Sequence, residues 1–223
     1  ATVERDMVFG SQAIDGHHGW TINGKAFTVD HVHAAPKQEP KPYLLRFAKE
    51  GGMRFVSPRD FQETIKRAVR RAGLSAVYTR GYSPTMKLSM SPPPSFGIAS
   101  EGEYVQIELK DDLDPGQVLS RLNAVLPAGM RVISCTQEKI GRPYAFVYRT
   151  SRPFSLQLEP GAVLEKGGSS LAVKDFLAYH DETSLTILVR GGRTISPVAI
   201  LQAFSSDAPE AWEITRVDTL FAG

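Results

Sequence analysis

A strand-helix-strand pattern occurs twice in this sequence, 82 residues apart, and constrains the fold more than any other feature. In each copy an apolar strand precedes a helix that begins at a proline, Pro115 or Pro197, with Asp114 and Ser196 as the candidate N-caps. A second apolar strand follows each helix. The constant offset predicts a duplicated β-α-β unit, and two unrelated units that share a common pattern remain the alternative.

Residues 43–140 carry signals for the order β, α, β, β, α, β, which is typical of ferredoxin-like domains. The first helix is the best marked, with Ser57 as N-cap, Pro58 at the first helical position, Asp60 in an acidic variant of the capping box and Gly73 after the last turn. Residues 43–48 and 53–56 are predicted to pair as a β-hairpin. With 141–223 as a second half, the expected class is α+β, with two ferredoxin-like halves containing antiparallel sheets.

Residues 1–42 differ in composition from the rest, since they hold four of the five histidines, and are interpreted as an N-terminal appendage and linker. The stretch WTINGKAF at 20–27 contains an Asn-Gly turn signal and predicts a hairpin. The run PKQEPKP at 36–42 is typical of a linker. A start at Ala1 instead of Met agrees with a piece excised from a longer protein.

Composition excludes several classes of protein. The chain has 223 residues, of which 42% are hydrophobic. No apolar run approaches the ~18 residues that a membrane helix needs, and the N-terminus lacks the pattern of a secretory signal. We therefore expect a cytoplasmic protein without membrane contact. The single cysteine, Cys135, excludes an internal disulfide, a Cys-rich zinc site and the three-thiolate cluster of a radical SAM enzyme.

Positive charge is concentrated in residues 54–87, which carry +6 on a chain whose net charge is +2. The arginines of the first helix lie on the arc opposite its apolar positions Phe61, Ile65 and Val69. A local basic region on a near-neutral chain favours an anionic partner, with a merely solvated helix face as the alternative. The predicted RNA-binding residues are Arg54, Arg59, Lys66, Arg67, Arg70, Arg71, Arg80, Tyr82 and Lys87.

No catalytic residue, metal site or cofactor is predicted. His31 and His33 share a strand face, but two ligands are too few for a metal site. Asp60 and Glu63 are interpreted as a cap and a solvent-facing residue rather than as a pair of catalytic carboxylates. Ser57 lacks the surroundings of a nucleophile and is assigned to capping. The glycine pairs 167–168 and 191–192 are interpreted as turns.

Several motifs in residues 43–223 resemble the radical-SAM-linked protein family, a domain of unknown function found beside or fused to cobalamin-binding radical SAM proteins. The matching stretches are SPRD at 57–60, RAVRRAGL at 67–74, GYSP at 81–84, GIASEGEY at 97–104, LPAGM at 126–130 and SPVAIL at 196–201. The resemblance implies a radical SAM protein as partner. Residues 1–36 resemble a fragment of a multicopper-oxidase cupredoxin domain, without its copper ligands.

The chain departs from the family pattern at Pro58 and Thr85, where relatives usually carry histidine, and at Ser83, where they carry asparagine. If those histidines take part in catalysis or bind metal in relatives, this chain lacks that activity. The departure therefore favours a binding role over a catalytic one. The expected function is a non-catalytic RNA-binding or adaptor module that presents a basic helix to RNA, either tRNA or rRNA, beside a radical SAM RNA-modifying enzyme. A protein-docking domain without RNA contact and an enzyme of unidentified reaction are the alternatives.

Overall fold

The computed structural model describes residues 9–14, 17–22, 25–28, 39–166 and 169–222. The chain divides into two compact units between residues 38 and 39. His31, His33 and the glycine pair at 167–168 lie outside the described residues, so the interpretations given to them stay predictions. No helix in the described ranges is long and apolar enough to cross a membrane.

The described part of the first unit is a three-stranded antiparallel sheet in the order β1-β2-β3. Its strands are β1 (Phe9–Ile14), β2 (His17–Ile22) and β3 (Lys25–Thr28). Trp20 lies opposite Phe27 and Ile22 opposite Lys25. This pairing confirms the hairpin predicted from the Asn-Gly signal.

The second unit has the α+β class that the sequence predicted, with three helices and a mostly antiparallel sheet among its described residues. Short 3-10 helices span Gly51–Phe55, Val173–Asp175 and Ala211–Glu213. The helices are α1 (Pro58–Arg71), α2 (Pro115–Asn123) and α3 (Pro197–Phe204). The strands are β4 (Lys41–Lys49), β5 (Leu88–Met90), β6 (Ala99–Leu109), β7 (Met130–Thr136), β8 (Pro143–Thr150), β9 (Val163–Lys166), β10 (Ser169–Ala172), β11 (Leu177–His180), β12 (Ser184–Leu188) and β13 (Ile214–Phe221).

Eight of these strands form one sheet in the order β11-β12-β8-β13-β6-β4-β7, with β5 paired to β6. Neighbouring strands are antiparallel except β13 and β6, which run parallel and have only two ladder pairs, Thr215–Ala99 and Arg216–Ser100. Strands β9 and β10 form a separate antiparallel hairpin. Residues of both predicted halves therefore share a single sheet, which is continuous across the β6–β13 contact.

Local signals place the starts of α1 and α2 where the sequence predicted them. The Ser57 hydroxyl accepts a hydrogen bond from the backbone N–H of Asp60 at 3.1 Å and donates one to its carboxylate at 2.7 Å. The Asp114 carboxylate accepts one from the backbone of Gly116 at 2.8 Å. After α1, Gly73 adopts a positive φ of 66°, which glycine tolerates better than other residues. The predicted structural role of Ser57 is confirmed.

Pro115 and Pro197 each begin a helix, as the duplicated pattern predicts. The two caps differ in detail, because the Ser196 side chain makes no capping bond and its hydroxyl lies 3.0 Å from that of Ser95. The start of α3 is thus tied to the loop before β6 instead of being capped by its own side chain.

Two apolar clusters form the core of the second unit. The first joins α1 and α2 to β4, β6 and β7, and includes Phe61, Ile65 and Leu122. The second joins α3 to β8, β12 and β13, and includes Phe146 and Ile200. Burying each large side chain stabilises the fold by about 1.5–3 kcal/mol, so each cluster fixes its helix against the sheet.

The hairpin predicted for residues 43–48 and 53–56 is wrong. The first segment lies within β4, but the second lies largely in a 3-10 helix over Gly51–Phe55. Both edges of β4 are already occupied by β6 and β7, so no further strand can pair with it there. The backbone N–H of Glu50 instead bonds to the carbonyl of Gly129 at 2.8 Å, which directs the chain away from the sheet.

A buried ion pair lies where β6 meets β13. Nη2 of Arg216 lies 2.7 Å from Oε1 of Glu103, and both side chains are buried. The Arg216 guanidinium also stacks 5.1 Å from the centre of the Phe146 ring. Buried Lys49 adds a second cation; burial lowers its pKa, the Glu103 carboxylate opposes this shift and Arg216 adds to it. The contact between β6 and β13, which we call the joint, thus contains two buried cations and one buried carboxylate. The cost of burying each charge is offset by the opposite charge beside it.

Replacing Ser57 with alanine removes the acceptor for the Asp60 N–H, so we expect the free energy of unfolding to fall by about 1 kcal/mol. Urea denaturation followed by circular dichroism measures the change. Ser57→Thr retains the hydroxyl and should lose clearly less, while Ser83→Ala, in an exposed loop, should change little. Equal stability of Ser57→Ala and the unmodified chain would contradict the capping role.

Arg216→Met leaves the Glu103 carboxylate buried without its partner, and we expect this to lower the free energy of unfolding by about 3–5 kcal/mol. The exposed Arg149 on β8 provides a matched control, since Arg149→Met should stay within about 0.5 kcal/mol of the unmodified chain. Equilibrium urea unfolding measures both. A loss below about 1 kcal/mol for Arg216→Met would show that the ion pair does not hold the joint.

Candidate nucleic-acid interface

Helix α1 presents arginines to solvent because its apolar side chains are held against the sheet. Phe61 and Ile65 are buried in the first core cluster, which leaves Arg67, Arg70 and Arg71 exposed. Within residues 39–166 and 169–222, none of these three arginines forms an ion pair. Arg59, in the first turn, is exposed and likewise unpaired over the same residues. Among the described residues, no carboxylate therefore lies within ion-pair distance of these four arginines.

Lys66 differs from the arginines around it. Its ammonium lies 2.8 Å from the carboxylate of Glu63 and its side chain is only 17% exposed. The pKa of Glu63 is lowered mainly by the hydrogen bond from Lys66. The positive charges of Lys66, Arg70 and Arg67 lower it further by smaller amounts. Asp60 bonds to Ser57 in the cap, as the sequence interpretation expected. Glu63, expected to face solvent, is partly exposed and pairs with Lys66. Lys66 thus has less free charge to offer a ligand than Arg67 or Arg70.

The loop between α1 and β5 displays Arg80 and Tyr82. Its base is closed by the backbone bond from Thr79 N–H to the Thr85 carbonyl at 2.8 Å, and the two threonine hydroxyls lie 3.2 Å apart. Arg80 is exposed, and the Tyr82 side chain is fully exposed at the tip. The loop therefore holds an aromatic ring and a cation clear of the core.

A polar cleft of about 500 Å³ lies on the Lys66 side of α1. Lys66 and Lys87 line it together with the amide side chains of Gln62 and Gln106. Each lysine already has an acidic partner, since the Lys87 ammonium lies 3.1 Å from the Glu108 carboxylate. The structure thus brings two predicted site residues together in a cleft whose charges are largely balanced.

A second groove, of about 690 Å³, lies on the other side of α1. Arg67 and Arg71 line it with apolar atoms of Phe55, Val125 and Pro127, and we call it the Arg-Phe groove. The Ser57 and Asp60 caps also lie at its surface. This groove combines guanidinium groups with an apolar floor, an arrangement suited to a ligand that is anionic along one edge and flat and apolar along another.

The Phe55 edge of the groove is extended by Phe96, whose ring centre lies 5.4 Å from that of Phe55. Phe55 is 46% exposed and Phe96 is 72% exposed. Arg54, from the predicted site, stacks its guanidinium 4.9 Å from the Phe55 ring centre. Sequence analysis missed both phenylalanines, because nothing in the spacing of an isolated Phe shows that its ring is exposed or that another ring lies against it.

Two side chains with potentially nucleophilic groups, Ser57 at the Arg-Phe groove and Cys135 on β7, are held in other roles. The Ser57 hydroxyl bonds to Asp60. Burial and, to a smaller extent, the Asp114 carboxylate raise the pKa of the Cys135 thiol to about 11, so that it is almost wholly protonated near neutral pH. Across the described residues, no three His, Cys, Asp or Glu side chains come together in a way that fits a metal ion.

Comparison with family models matches residues 42–162 to a model described as "Uncharacterized protein conserved in bacteria (DUF2344)". The matched range contains α1, the loop that carries Tyr82, both phenylalanines and α2. No curated protein matches the chain. The comparisons thus include the whole candidate interface in a family whose description states no activity.

The raised pKa of Cys135 predicts slow alkylation. At pH 8 iodoacetamide should modify Cys135 about a hundredfold more slowly than a small free thiol of pKa near 9, because a pKa near 11 reduces the thiolate fraction by that factor. The rate should rise about tenfold per pH unit up to pH 10, as the thiolate fraction rises, and unfolding in urea should abolish the difference. Mass spectrometry follows the reaction; a rate at pH 8 equal to that of the free thiol would contradict the burial of this group.

Proposed function

The chain belongs to the DUF2344 family, and we propose that it is a non-catalytic RNA-binding module that presents α1 to RNA. The observation that carries the proposal is a set of four exposed arginines on α1, which are unpaired among the described residues: Arg59, Arg67, Arg70 and Arg71. The opposite face of the helix is held in the core. Because the helix is fixed before binding, the guanidinium groups are already positioned when a ligand arrives.

Guanidinium groups suit this role better than ammonium groups. A guanidinium donates two parallel hydrogen bonds to a phosphate, stacks on flat rings and is less strongly hydrated than an ammonium. Each phosphate that an arginine neutralises releases condensed counterions, which makes the affinity fall as salt rises. Arg80 and Tyr82 extend the surface beyond α1, where the tyrosine ring offers a stacking platform.

We propose further that the module works beside a radical SAM enzyme that modifies tRNA or rRNA. The support for this step is the resemblance of the motifs at 57–60, 67–74, 81–84 and 97–104 to the radical-SAM-linked family. An adaptor that binds the RNA would supply affinity to a partner whose own site acts on one nucleotide.

A protein-docking function is the second candidate, and the exposed pair of Phe55 and Phe96 favours it. Exposed aromatic rings beside arginines are common at the centres of protein interfaces. In that case the basic helix would complement an acidic surface of the partner and would have no affinity for RNA.

The strand order supports an interpretation of the second unit as two ferredoxin-like halves. Within the first half the order is β5-β6-β4-β7, and within the second it is β11-β12-β8-β13. If only the strands of the main sheet are numbered along the chain within each half, both orders are 2-3-1-4. The second half has the β9–β10 hairpin where the first has α1. On this interpretation only the first half presents a basic helix.

The triple variant Arg67→Ala, Arg70→Ala and Arg71→Ala should weaken RNA binding by tenfold or more. Loss of up to three phosphate contacts should also make the slope of log affinity against log salt shallower by about two. Stability should change by less than about 1 kcal/mol, because the three side chains are exposed. Fluorescence anisotropy with labelled tRNA and an rRNA fragment, at two salt concentrations, measures affinity and slope.

The matched control removes the same number of charges from other elements. Lys139, Lys174 and Arg193 are exposed, and the corresponding triple alanine variant should bind RNA nearly as the unmodified chain does. If the α1 variant binds RNA as the unmodified chain does, the basic face is structural. If the unmodified chain has no affinity for RNA even at low salt, protein docking becomes the better account.

A further inference from the structure

The contact between Phe55 and Phe96 is unusual because it leaves two large apolar rings in water. Phe96 is 72% exposed, so it gains only part of the stabilisation that burial of a phenylalanine provides. The two rings are tilted by 58° at a separation of 5.4 Å, which fixes each against the other while most of the Phe96 ring stays accessible. An exposed aromatic cluster of this kind marks a binding surface more often than a structural element.

The loop that carries Phe96 is held at several points and presents the ring in a defined place. Buried Arg216 donates a hydrogen bond to the carbonyl of Pro92 at 2.6 Å. The hydroxyl of Ser95 bonds to that of Ser196 at 3.0 Å, and the backbone N–H of Gly97 bonds to the Arg54 carbonyl at 3.3 Å. A ring fixed in this way loses little conformational entropy when a ligand stacks on it.

The groove beside these rings has cations on its helix side. Arg67 and Arg71 line it from α1, Phe55 lines it from the opposite segment, and its volume of about 690 Å³ is ample for a nucleotide. Arg54 occupies a position over Phe55, so Phe96 offers the freer ring. Phe55 and the two arginines thus line one groove, and Phe96, which contacts Phe55, continues the apolar surface beyond that lining.

We propose that the Arg-Phe groove binds single-stranded RNA, with an unpaired base stacked on Phe96 and the adjoining phosphates held by Arg67 and Arg71. This inference rests on the proposed function and names the form of RNA that the interface selects. In a duplex the base faces are covered by their neighbours, whereas an unpaired base exposes both faces and stacks readily on an aromatic side chain. The basic helix alone would bind single-stranded and duplex RNA alike, so the preference for single strands comes from the phenylalanines.

Charge complementarity favours RNA over a protein as the occupant. Neither groove arginine forms an ion pair among the described residues, and the two arginines outnumber Asp60, the one carboxylate that lines the groove. A ligand that supplies regularly spaced anions next to flat rings satisfies the arginines and Phe96 together. A protein partner is an outcome that the experiment below distinguishes.

The test compares three labelled probes by fluorescence anisotropy with the full chain: a single-stranded RNA decamer, the same strand annealed to its complement, and a decamer with abasic residues. The unmodified chain should bind the single strand best. Phe96→Ala should weaken single-strand binding by about tenfold or more, the loss typical of one base–aromatic stack, and leave the duplex and abasic probes nearly unchanged.

Two conservative variants separate stacking from apolar packing. Phe96→Tyr keeps an aromatic ring and should bind the single strand almost as the unmodified chain does, whereas Phe96→Leu keeps apolar volume and should behave as Phe96→Ala. Tyr179→Ala removes a ring that is 56% exposed on β11 and serves as the matched control without effect on binding. Because Phe96 and Tyr179 are both exposed, all four variants are expected to fold, which circular dichroism verifies.

Different results would contradict RNA binding itself and the preference for single-stranded RNA. If no probe binds at low salt, the RNA-binding function itself is wrong and docking of a protein on the Phe55–Phe96 surface replaces it. If the chain binds duplex and single strand equally and Phe96→Ala changes neither affinity, RNA binding stands and the single-strand inference is overturned. Retention of full single-strand affinity by Phe96→Leu would also overturn it, because apolar contact without a ring would then suffice.

Discussion

The buried ion pair between Arg216 and Glu103 lies at the contact of β6 with β13, where the strands of the two core clusters are joined. Strands β6 and β13 share only two residue pairs, so backbone hydrogen bonds alone hold them weakly. The ion pair lies beside that short contact, in surroundings of low dielectric where opposite charges attract strongly. The strands also approach closely, since a Cβ on Gly102 would lie 2.7 Å from the Cα of Asp218. A shift in register would separate the charges and leave both buried without compensation.

The candidate interface is connected to this joint through Arg216. One guanidinium nitrogen faces Glu103, and another donates to the carbonyl of Pro92, at the start of the loop that displays Phe96. The buried Arg216 therefore orders an exposed ring as well as the sheet. The opposite side of the groove is fixed independently, because Phe61 and Ile65 anchor α1 in the first core cluster. The loop that displays Phe96 and the helix that carries Arg67 and Arg71 are thus positioned by separate contacts.

Local chemistry explains which features the sequence could predict. The Ser57 and Asp114 caps, the prolines that follow them and the apolar periodicity of α1 depend on residues within one or two turns, and the structure agrees with each. Contacts between residues that are far apart in the sequence could not be predicted from such local patterns. Whether residues 53–56 form a strand depends on a free edge of β4, which β6 and β7 occupy. The meeting of Phe55 with Phe96 depends on tertiary folding. Arg216 even opposes the local pattern, because it stands at a buried position of β13 where an apolar residue is expected.

The pairing of the cations shows that net charge alone is a coarse guide to the interface. Residues 54–87 carry +6, but the ammonium groups of Lys66 and Lys87 each lie beside a carboxylate. To bind a phosphate, either lysine must share or break that ion pair, which offsets much of the gain. Arg67 and Arg71 have no such contact to break over the described residues and lie beside an apolar surface. Affinity for a polyanion is therefore expected to be concentrated on the side of α1 that faces the Arg-Phe groove, even though the polar cleft holds as many cations.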